Sequence, residues 1–291
     1  MPRSTSTTGP GIAFLGTGLL GAAFVEAACG RGDSVTVWNR TASKAEALTR
    51  FGARVAATPA DAVRGAERVH LVLQDDASVN EVIAALRAGL APDAVILDHT
   101  TTRPDLTAER AARLADEGLH YLHCPVFIGP AAARESQGTI MVSGPSTLFE
   151  HVKPALARQA ARVEYFGERA DLAAGYKLIG NAMLLAIAGV VADSFTVAAG
   201  AGITAKDALK LLEFFDPGRV VHGRGKKMAA GDFSASFELT MAHKDIRLMI
   251  ETAGDRPLAT LPGILARMET LITEGRGHDD VGVLAADAVE R

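Results

Sequence analysis

The chain has 291 residues, 48% of them hydrophobic, with a formal net charge of −4 and two cysteines. That length leaves room for two domains with sizeable cores, and the mildly acidic balance argues against a general nucleic-acid binder, which needs a basic surface. Cys29 and Cys124 form neither a disulfide framework nor a metal-ligand spacing, so reduced thiols in a cytoplasmic protein are the simplest reading.

Residues 1–10 lack the apolar core of a secretory signal and read as a disordered lead-in. Gly11–Leu15 is an apolar run that reads as a buried strand. Gly16, Gly18 and Gly21 follow it in the order GxGxxG, with Thr17, Leu19 and Leu20 between them, and a helical segment covers Leu20–Arg31. Gly16 permits a tight turn, Gly18 lets the backbone approach a pyrophosphate, and Gly21 lets the helix lie close to the sheet. The free N–H groups of the helix N-terminus then face the phosphates. The next strand, Ser34–Trp38, ends in Asn39, Arg40 and Thr41. An NAD-type site usually carries Asp or Glu there, for the ribose 2′-OH. A carboxylate would repel a 2′-phosphate, whereas a guanidinium and two neutral donors accept it, so the expected cofactor is NADP(H).

Strand and helix patterns then alternate. Helical segments are expected over Ser43–Phe51, Thr58–Arg64, Val79–Leu86 and Pro104–Glu117. Strands are expected over Arg68–Leu73, Ala94–Asp98, His120–Cys124, Gly138–Ser143 and Arg162–Tyr165. Such alternation implies an α/β domain, a Rossmann-type doubly wound sheet with helices on both faces. The short strands after Cys124 read as an antiparallel or mixed extension. Leu73 and Gln74 end one strand where they can cover the adenosine or ribose. Asp98–Pro104 reads DHTTTRP at the C-terminal end of another, which puts Thr100, Thr101 and Thr102 near the cofactor, although a helix N-cap before Pro104 explains them too. His70 and His120 each read as lying at a strand edge and suggest nothing specific.

After residue 170 the strands stop. Ala173–Ala199 reads as one helix of about 40 Å. Gly200 and Gly202 end it, and Thr204 with Asp207 forms a capping box for the next helix. Further helices are expected over Val220–Ala230, Leu239–Ala253, Leu261–Glu274 and Asp279–Val289. The expected division is a nucleotide-binding domain over 11–172 and an all-α domain over 173–291, joined by the long helix rather than by a linker. Within that helix Ala182–Ala192 is almost wholly apolar. It is too short to span a bilayer, so a helix buried on most sides is expected.

Hydride transfer to a carbonyl needs a group that donates a proton or positive charge to the oxygen, and others that orient the substrate. Lys177, in GYKLIGN, stands beside apolar surface that would desolvate it and lower its pKa. Asn181, four residues on, shares its helix face. A solvated lysine and a core amide remain the plain alternative. His243, Lys244 and Asp245 read either as a charged helix face or as Lys244 beside the nicotinamide with Asp245 orienting it. The basic run Arg219–Lys227 reads as a solvated face or as steering for an anion. No zinc-ligand spacing, Walker loop or Ser–His–Asp order stands out.

Taken together, these motifs resemble the β-hydroxyacid dehydrogenase family, which is related to 6-phosphogluconate dehydrogenase. The resemblance runs from about residue 11 to the C-terminus. It rests on Gly16–Gly21, on DxxTxxP at Asp98–Pro104, on GxxKxxxN through Lys177 and Asn181, and on FxLxxxxKDxxL through Phe237, Leu239, Lys244, Asp245 and Leu248. It implies that Lys177 is the catalytic acid/base, that Thr101 and Lys244 contact the cofactor, and that Val126, Phe127, Ile128 and Gly129 form the substrate loop. The reaction implied is hydride transfer between NADP(H) and a small 3-hydroxy acid or its semialdehyde or keto form, in a cleft between the domains. The implied partners are a small-molecule substrate and a second copy of the chain, in a homodimer or larger homo-oligomer, with no nucleic acid and no membrane. The loop departs from the family pattern: HCPVFIGP stands where DAPVSGG is usual, so Phe127 and Ile128 replace a serine and a glycine. That favours, as an alternative, an imine or apolar carbonyl reductase, although related imine reductases generally lack the lysine. A non-catalytic dinucleotide-binding scaffold is the alternative of another class.

Overall fold

A computed structural model of the chain describes residues 11–289, so the expected lead-in at 1–10 lies outside the described residues. The chain forms two compact units, the first ending at Asn181 and the second starting at Ala182. The division falls inside a continuous helix, α8 (Leu172–Gly200).

The first unit is built on β1 (Gly11–Leu15), α1 (Leu19–Gly30), β2 (Val35–Trp38), α2 (Ala42–Glu46), β3 (Arg54–Val55), α3 (Pro59–Val63), β4 (Ala66–Leu71), α4 (Asp76–Leu86), β5 (Val95–Asp98), α5 (Pro104–Asp116) and β6 (His120–His123). The sheet order is β3-β2-β1-β4-β5-β6 and every pair is parallel. Alternation along β1 shows why both faces are covered. Ile12 and Phe14 enter one apolar cluster with Val35, Val37, Val95 and Leu97. Ala13 and Leu15 enter the other with Val69, Leu71 and Ile96. A strand buried on both faces reads as a continuous apolar run, as GIAFL does. The order reverses between β1 and β4, which opens a crevice beyond their carboxyl ends.

A second, mixed sheet follows. β7 (Val126–Phe127) pairs antiparallel with β8 (Thr139–Val142), and β8 pairs parallel with β9 (Arg162–Tyr165). The His123–Ser143 bridge ties β6 to this extension. α6 (Pro130–Arg134) and α7 (Ser146–Leu156) complete the unit. Four of these elements escape the sequence periodicity. β3 and β7 are two residues long, too short to alternate. α6 is five residues long, and α7 carries Pro154 in its interior, which reads as a breaker. The expected helix Ser43–Phe51 splits into α2 and a 3₁₀ turn at Thr49–Phe51.

The second unit adds α9 (Ala205–Ala208), α10 (Pro217–Ala229), α11 (Leu239–Ala253), α12 (Leu261–Thr273) and α13 (Ala286–Val289). The capping box forms: Thr204 Oγ1 accepts from Asp207 N–H at 3.1 Å and donates to the Asp207 carboxylate at 2.7 Å. The segment Asp279–Val289, expected to be one helix, is instead a 3₁₀ turn over Val281–Ala285 followed by α13. Asp280 caps that turn. Its carboxylate accepts N–H bonds from Ser236, Phe237 and Gly282, which ties the start of the segment to the stretch before α11. Asp193 of α8 works in the same way on α12. It accepts from Ala259 N, Thr260 N, Thr260 Oγ1 and Leu261 N, satisfying donors at a helix N-terminus. Burial would raise its pKa, but those hydrogen bonds outweigh burial and hold it at about 2.

The expectation of a buried apolar helix over Ala182–Ala192 is corrected. Met183, Leu184, Leu185 and Ile187 are 55%, 60%, 70% and 58% exposed. α8 as a whole is long and apolar enough to cross a membrane by length and composition alone. In a single chain, too few neighbouring elements reach this stretch to cover it.

His70 is also corrected. It lies inside the sheet on β4, fully buried and stacked on Phe14 at 4.4 Å between ring centroids. Its partners fix the protons. His99 Nδ1 lies 2.7 Å from the Cys124 carbonyl, which can only accept, so Nδ1 carries the hydrogen. His99 Nε2 is then bare and accepts from His70 Nδ1–H at 2.9 Å. Burial drives both rings, and His123, toward the neutral form; for His123 the pKa falls to about 3.

An acid sensitivity follows from these three depressed values. Each ring contributes stability that is intact above its unfolded pKa near 6.5 and is lost as pH falls toward the folded value. Asp98, raised by burial, offsets at most one of the three protons. Stability should fall below pH ~6.5, by up to about 1.4 kcal/mol per pH unit for each ring that stays neutral in the folded protein. Urea melts at pH 7, 6 and 5 check this; an unchanged midpoint across that series would contradict it.

Candidate active site

The crevice beyond β1 and β4 is built by the glycine turn. Gly16 has φ +97°, a left-handed conformation that side chains disfavour, and a Cβ there would stand 2.2 Å from the Val72 carbonyl oxygen. A Cβ on Gly21 would stand 2.1 Å from the Gly16 oxygen, so only glycine lets α1 start this close to the strand. Gly18 is the opposite case. Its Cβ position has nothing within 4 Å, and it N-caps α1 with no side-chain hydrogen bond to the first-turn N–H groups. An open backbone at an uncapped helix N-terminus is a fit for a pyrophosphate.

A cavity of about 310 Å³ lies here. Of the residues expected from sequence, Gly16, Gly18, Asn39, Arg40, Thr41, Leu73 and Gln74 line it. Thr17 is buried behind it, Leu19 is 84% exposed on the first turn of α1, and Leu20 packs on the sheet core. Asn39 spends its acceptor and one of its two N–H donors within the protein. Its Oδ1 accepts from Thr17 N–H at 2.9 Å and its Nδ2 donates to the Thr41 carbonyl at 3.0 Å, so it braces the glycine turn against the end of β2. The cationic lining falls to Arg40 and to Lys44. Sequence reasoning missed Lys44; the signal was its place three residues after Thr41, on the first turn of α2.

The loop after β5 is equally organised. Thr100 Oγ1 accepts from Leu73 N–H at 3.1 Å, which links the loops after β4 and β5. Thr102 is bonded to Thr107 at 2.7 Å, and both Thr100 and Thr102 are buried. Thr101 is the exposed member of the three. Asp98 holds the loop from beneath, accepting from Thr100 N–H at 3.0 Å and from Tyr121 OH at 2.8 Å, with the Arg110 guanidinium 3.8 Å away.

Lys177 lies on the second turn of α8. Ser143, at the end of β8, anchors that helix by donating to the Ala170 carbonyl at 2.8 Å and accepting from Ala173 N–H at 3.1 Å. The Lys177 ammonium donates to the Val126 carbonyl at 2.8 Å and sits 4.2 Å from the centroid of the Phe127 ring. Burial pushes its pKa below the ordinary lysine value. Asn181 is half-buried and one turn further along. Of the expected substrate loop, Val126 and Phe127 meet Lys177. Ile128 instead packs against the sheet core, and Gly129 caps α6. Lys244 stands on α11 in the second unit, 56% exposed, with its ammonium 3.0 Å from the Asp245 carboxylate.

Residues 11–167 match the NAD binding domain of 6-phosphogluconate dehydrogenase. The chain belongs to this family. It is an NAD(P)-dependent oxidoreductase. An uncharacterized oxidoreductase of Shewanella frigidimarina is 29% identical, over 83% of this chain and 84% of that protein. Glyoxylate/succinic semialdehyde reductase 1 of Arabidopsis thaliana is 25% identical over 89% of this chain and 90% of its own. Among solved structures, the imine reductase from Myxococcus stipitatus in complex with NADP+ has the same fold, with a TM-score of 0.86 at 19% identity, covering 97% of this chain and all of that one. In the oxidoreductase the glycine turn and the Lys177 cluster are thus both held by the first unit, one at the carboxyl end of β1 and the other where β7 meets α8.

Proposed function

We propose that this oxidoreductase transfers hydride between NADP(H) and a small 3-hydroxy acid or its semialdehyde or keto form, with Lys177 as general acid/base. The observation that carries the reading is the Lys177 ammonium, half-buried and directed by the Val126 carbonyl rather than free in solvent. The nicotinamide supplies the hydride. In the reductive direction Lys177 gives a proton to the forming alkoxide, and its positive charge stabilises that oxygen as it develops. Asn181, on the same helix face, orients the substrate, and Thr101 and Lys244 serve the cofactor. The preference for NADP(H) rests on Arg40 and Lys44 at the end of β2 and the start of α2, where no acidic residue follows Trp38 directly. The semialdehyde reductase likeness supports a carbonyl substrate.

A second reading, reduction of an imine or an apolar carbonyl compound, is favoured by one specific feature: Phe127, 36% exposed, stands beside Lys177 where the loop would otherwise present a small polar residue. Assaying semialdehydes and cyclic imines side by side separates the two.

The apolar surface of α8 fits burial against a second copy of the chain, in a homodimer. Light scattering should then give about twice the 30.3 kDa chain mass, and a monomer would remove this part of the proposal. Lys177→Ala should lower turnover by roughly 10²- to 10⁴-fold, the usual contribution of a positioned acid/base, with little change in the KM for NADPH. Unchanged turnover on the best substrate would sink the mechanism. Arg40→Ala should raise the KM for NADPH by roughly ten- to a hundredfold, the worth of a charge-assisted hydrogen bond, while leaving that for NADH nearly unaltered. An equal effect on both cofactors would contradict the assignment of Arg40 to the 2′-phosphate.

A further inference from the structure

We propose that Phe127, seated in the notch left by Gly180, is a positioning residue whose ring face keeps the Lys177 ammonium charged and in place as the proton donor. The inference rests on the reading of Lys177 as that donor.

Three observations meet at this point. The Phe127 ring lies under the ammonium at 4.2 Å. The Val126 carbonyl, from the neighbouring residue on β7, takes one N–H of the same ammonium at 2.8 Å. A Cβ on Gly180 would stand 2.2 Å from Phe127 Cζ and 2.9 and 3.0 Å from Cε2 and Cε1. Gly180 is three residues after Lys177, so both lie on one face of α8. Glycine weakens a helix interior, and the edge of the ring occupies the space that its missing side chain leaves.

The consequence is a balance on one nitrogen. Burial favours the neutral amine, which cannot protonate an alkoxide. The negative face of an aromatic ring favours the cation. Val126 and Phe127 come from one two-residue strand paired with β8, so the carbonyl and the ring are presented together. Gly180 contributes by leaving room for the ring; it does not touch the ammonium itself. Phe127 therefore acts through Lys177, and its removal should alter when the proton is available.

The test compares Phe127→Leu, Gly180→Ala and the double variant with the parent protein. A fourth form carries 3,5-difluorophenylalanine at position 127, which keeps the ring's shape and weakens its negative face. Two quantities are measured: the pH dependence of kcat for NADPH-dependent reduction, and the ¹³Cε NMR titration of Lys177 in cofactor-free protein, assigned by its loss in Lys177→Arg. In Phe127→Leu and Gly180→Ala the high-pH fall in kcat and the NMR midpoint should both move down by about one pH unit. The fluorinated form should move in the same direction, and the double variant should match Phe127→Leu. Titration midpoints that stay put in both the leucine and fluorinated forms would overturn the proposal, as would a further shift in the double variant. Undiminished turnover in Lys177→Ala overturns the proton-donor reading instead, so the two failures are told apart.

Discussion

The first unit depends on one close contact, the approach of α1 to the turn that leaves β1. At Gly21 a single added carbon would meet the Gly16 carbonyl at 2.1 Å. That distance sets how near the helix N-terminus lies to the sheet, and so where its uncapped N–H groups converge. Asn39 extends the constraint by bridging the turn to the end of β2. The loop after β2 and the glycine turn are therefore tied together, and Arg40 and Lys44, which follow, line the same cavity as Gly18. Preorganisation of this kind reduces the ordering cost of binding a long, flexible dinucleotide.

Beneath the neighbouring loop the same effect is obtained with buried polar groups. Asp98 accepts from Thr100 and Tyr121 and faces Arg110, whose side chain is 1% exposed. Arg110 in turn pairs with Asp76 at the start of α4 and bonds to Asn80 at 3.0 Å. Unpaired, any of these charges would be costly to bury. Paired, they fix the backbone from Leu73 to Thr102 around the mouth of the crevice. The neutral histidines His70 and His99 continue this core toward Cys124, where the chain enters the loop that reaches Lys177. The groups beneath the cofactor-side loop and those leading toward Lys177 thus belong to one buried polar core.

α8 carries two kinds of residue with different needs. Its first turns are anchored by Ser143, and its single internal carboxylate, Asp193, organises the start of α12. Between them runs an apolar stretch whose side chains stand largely exposed. Apolar area of this extent is a lasting cost in water, and the proposed second copy of the chain would remove it. The helix thus carries Lys177 at one end and organises the packing of the all-α unit at the other.

Much of this was legible from sequence because the signals are local. The glycines, the apolar run before them, DHTTTRP, GYKLIGN and the Thr204–Asp207 box each act within a few residues, where spacing and backbone chemistry determine the outcome. The order of the longer strands and most helices followed from the same short-range patterns, with β3, β7, α6 and α7 outside them, and β1, β9 and α11 were delimited to the residue. What only the tertiary structure decided involves residues far apart in the chain. Asn39 Oδ1 is occupied by Thr17, twenty-two positions away; Ile128 turns into the core while Phe127 turns to Lys177; His70 lies in the middle of the sheet; Asp280 gathers the N–H groups of Ser236 and Phe237, more than forty positions distant. No periodicity encodes such pairings, since each depends on where another segment has already come to rest. The sequence determined that a dinucleotide turn and a desolvated lysine are present. The fold decided which neighbours hold each of them.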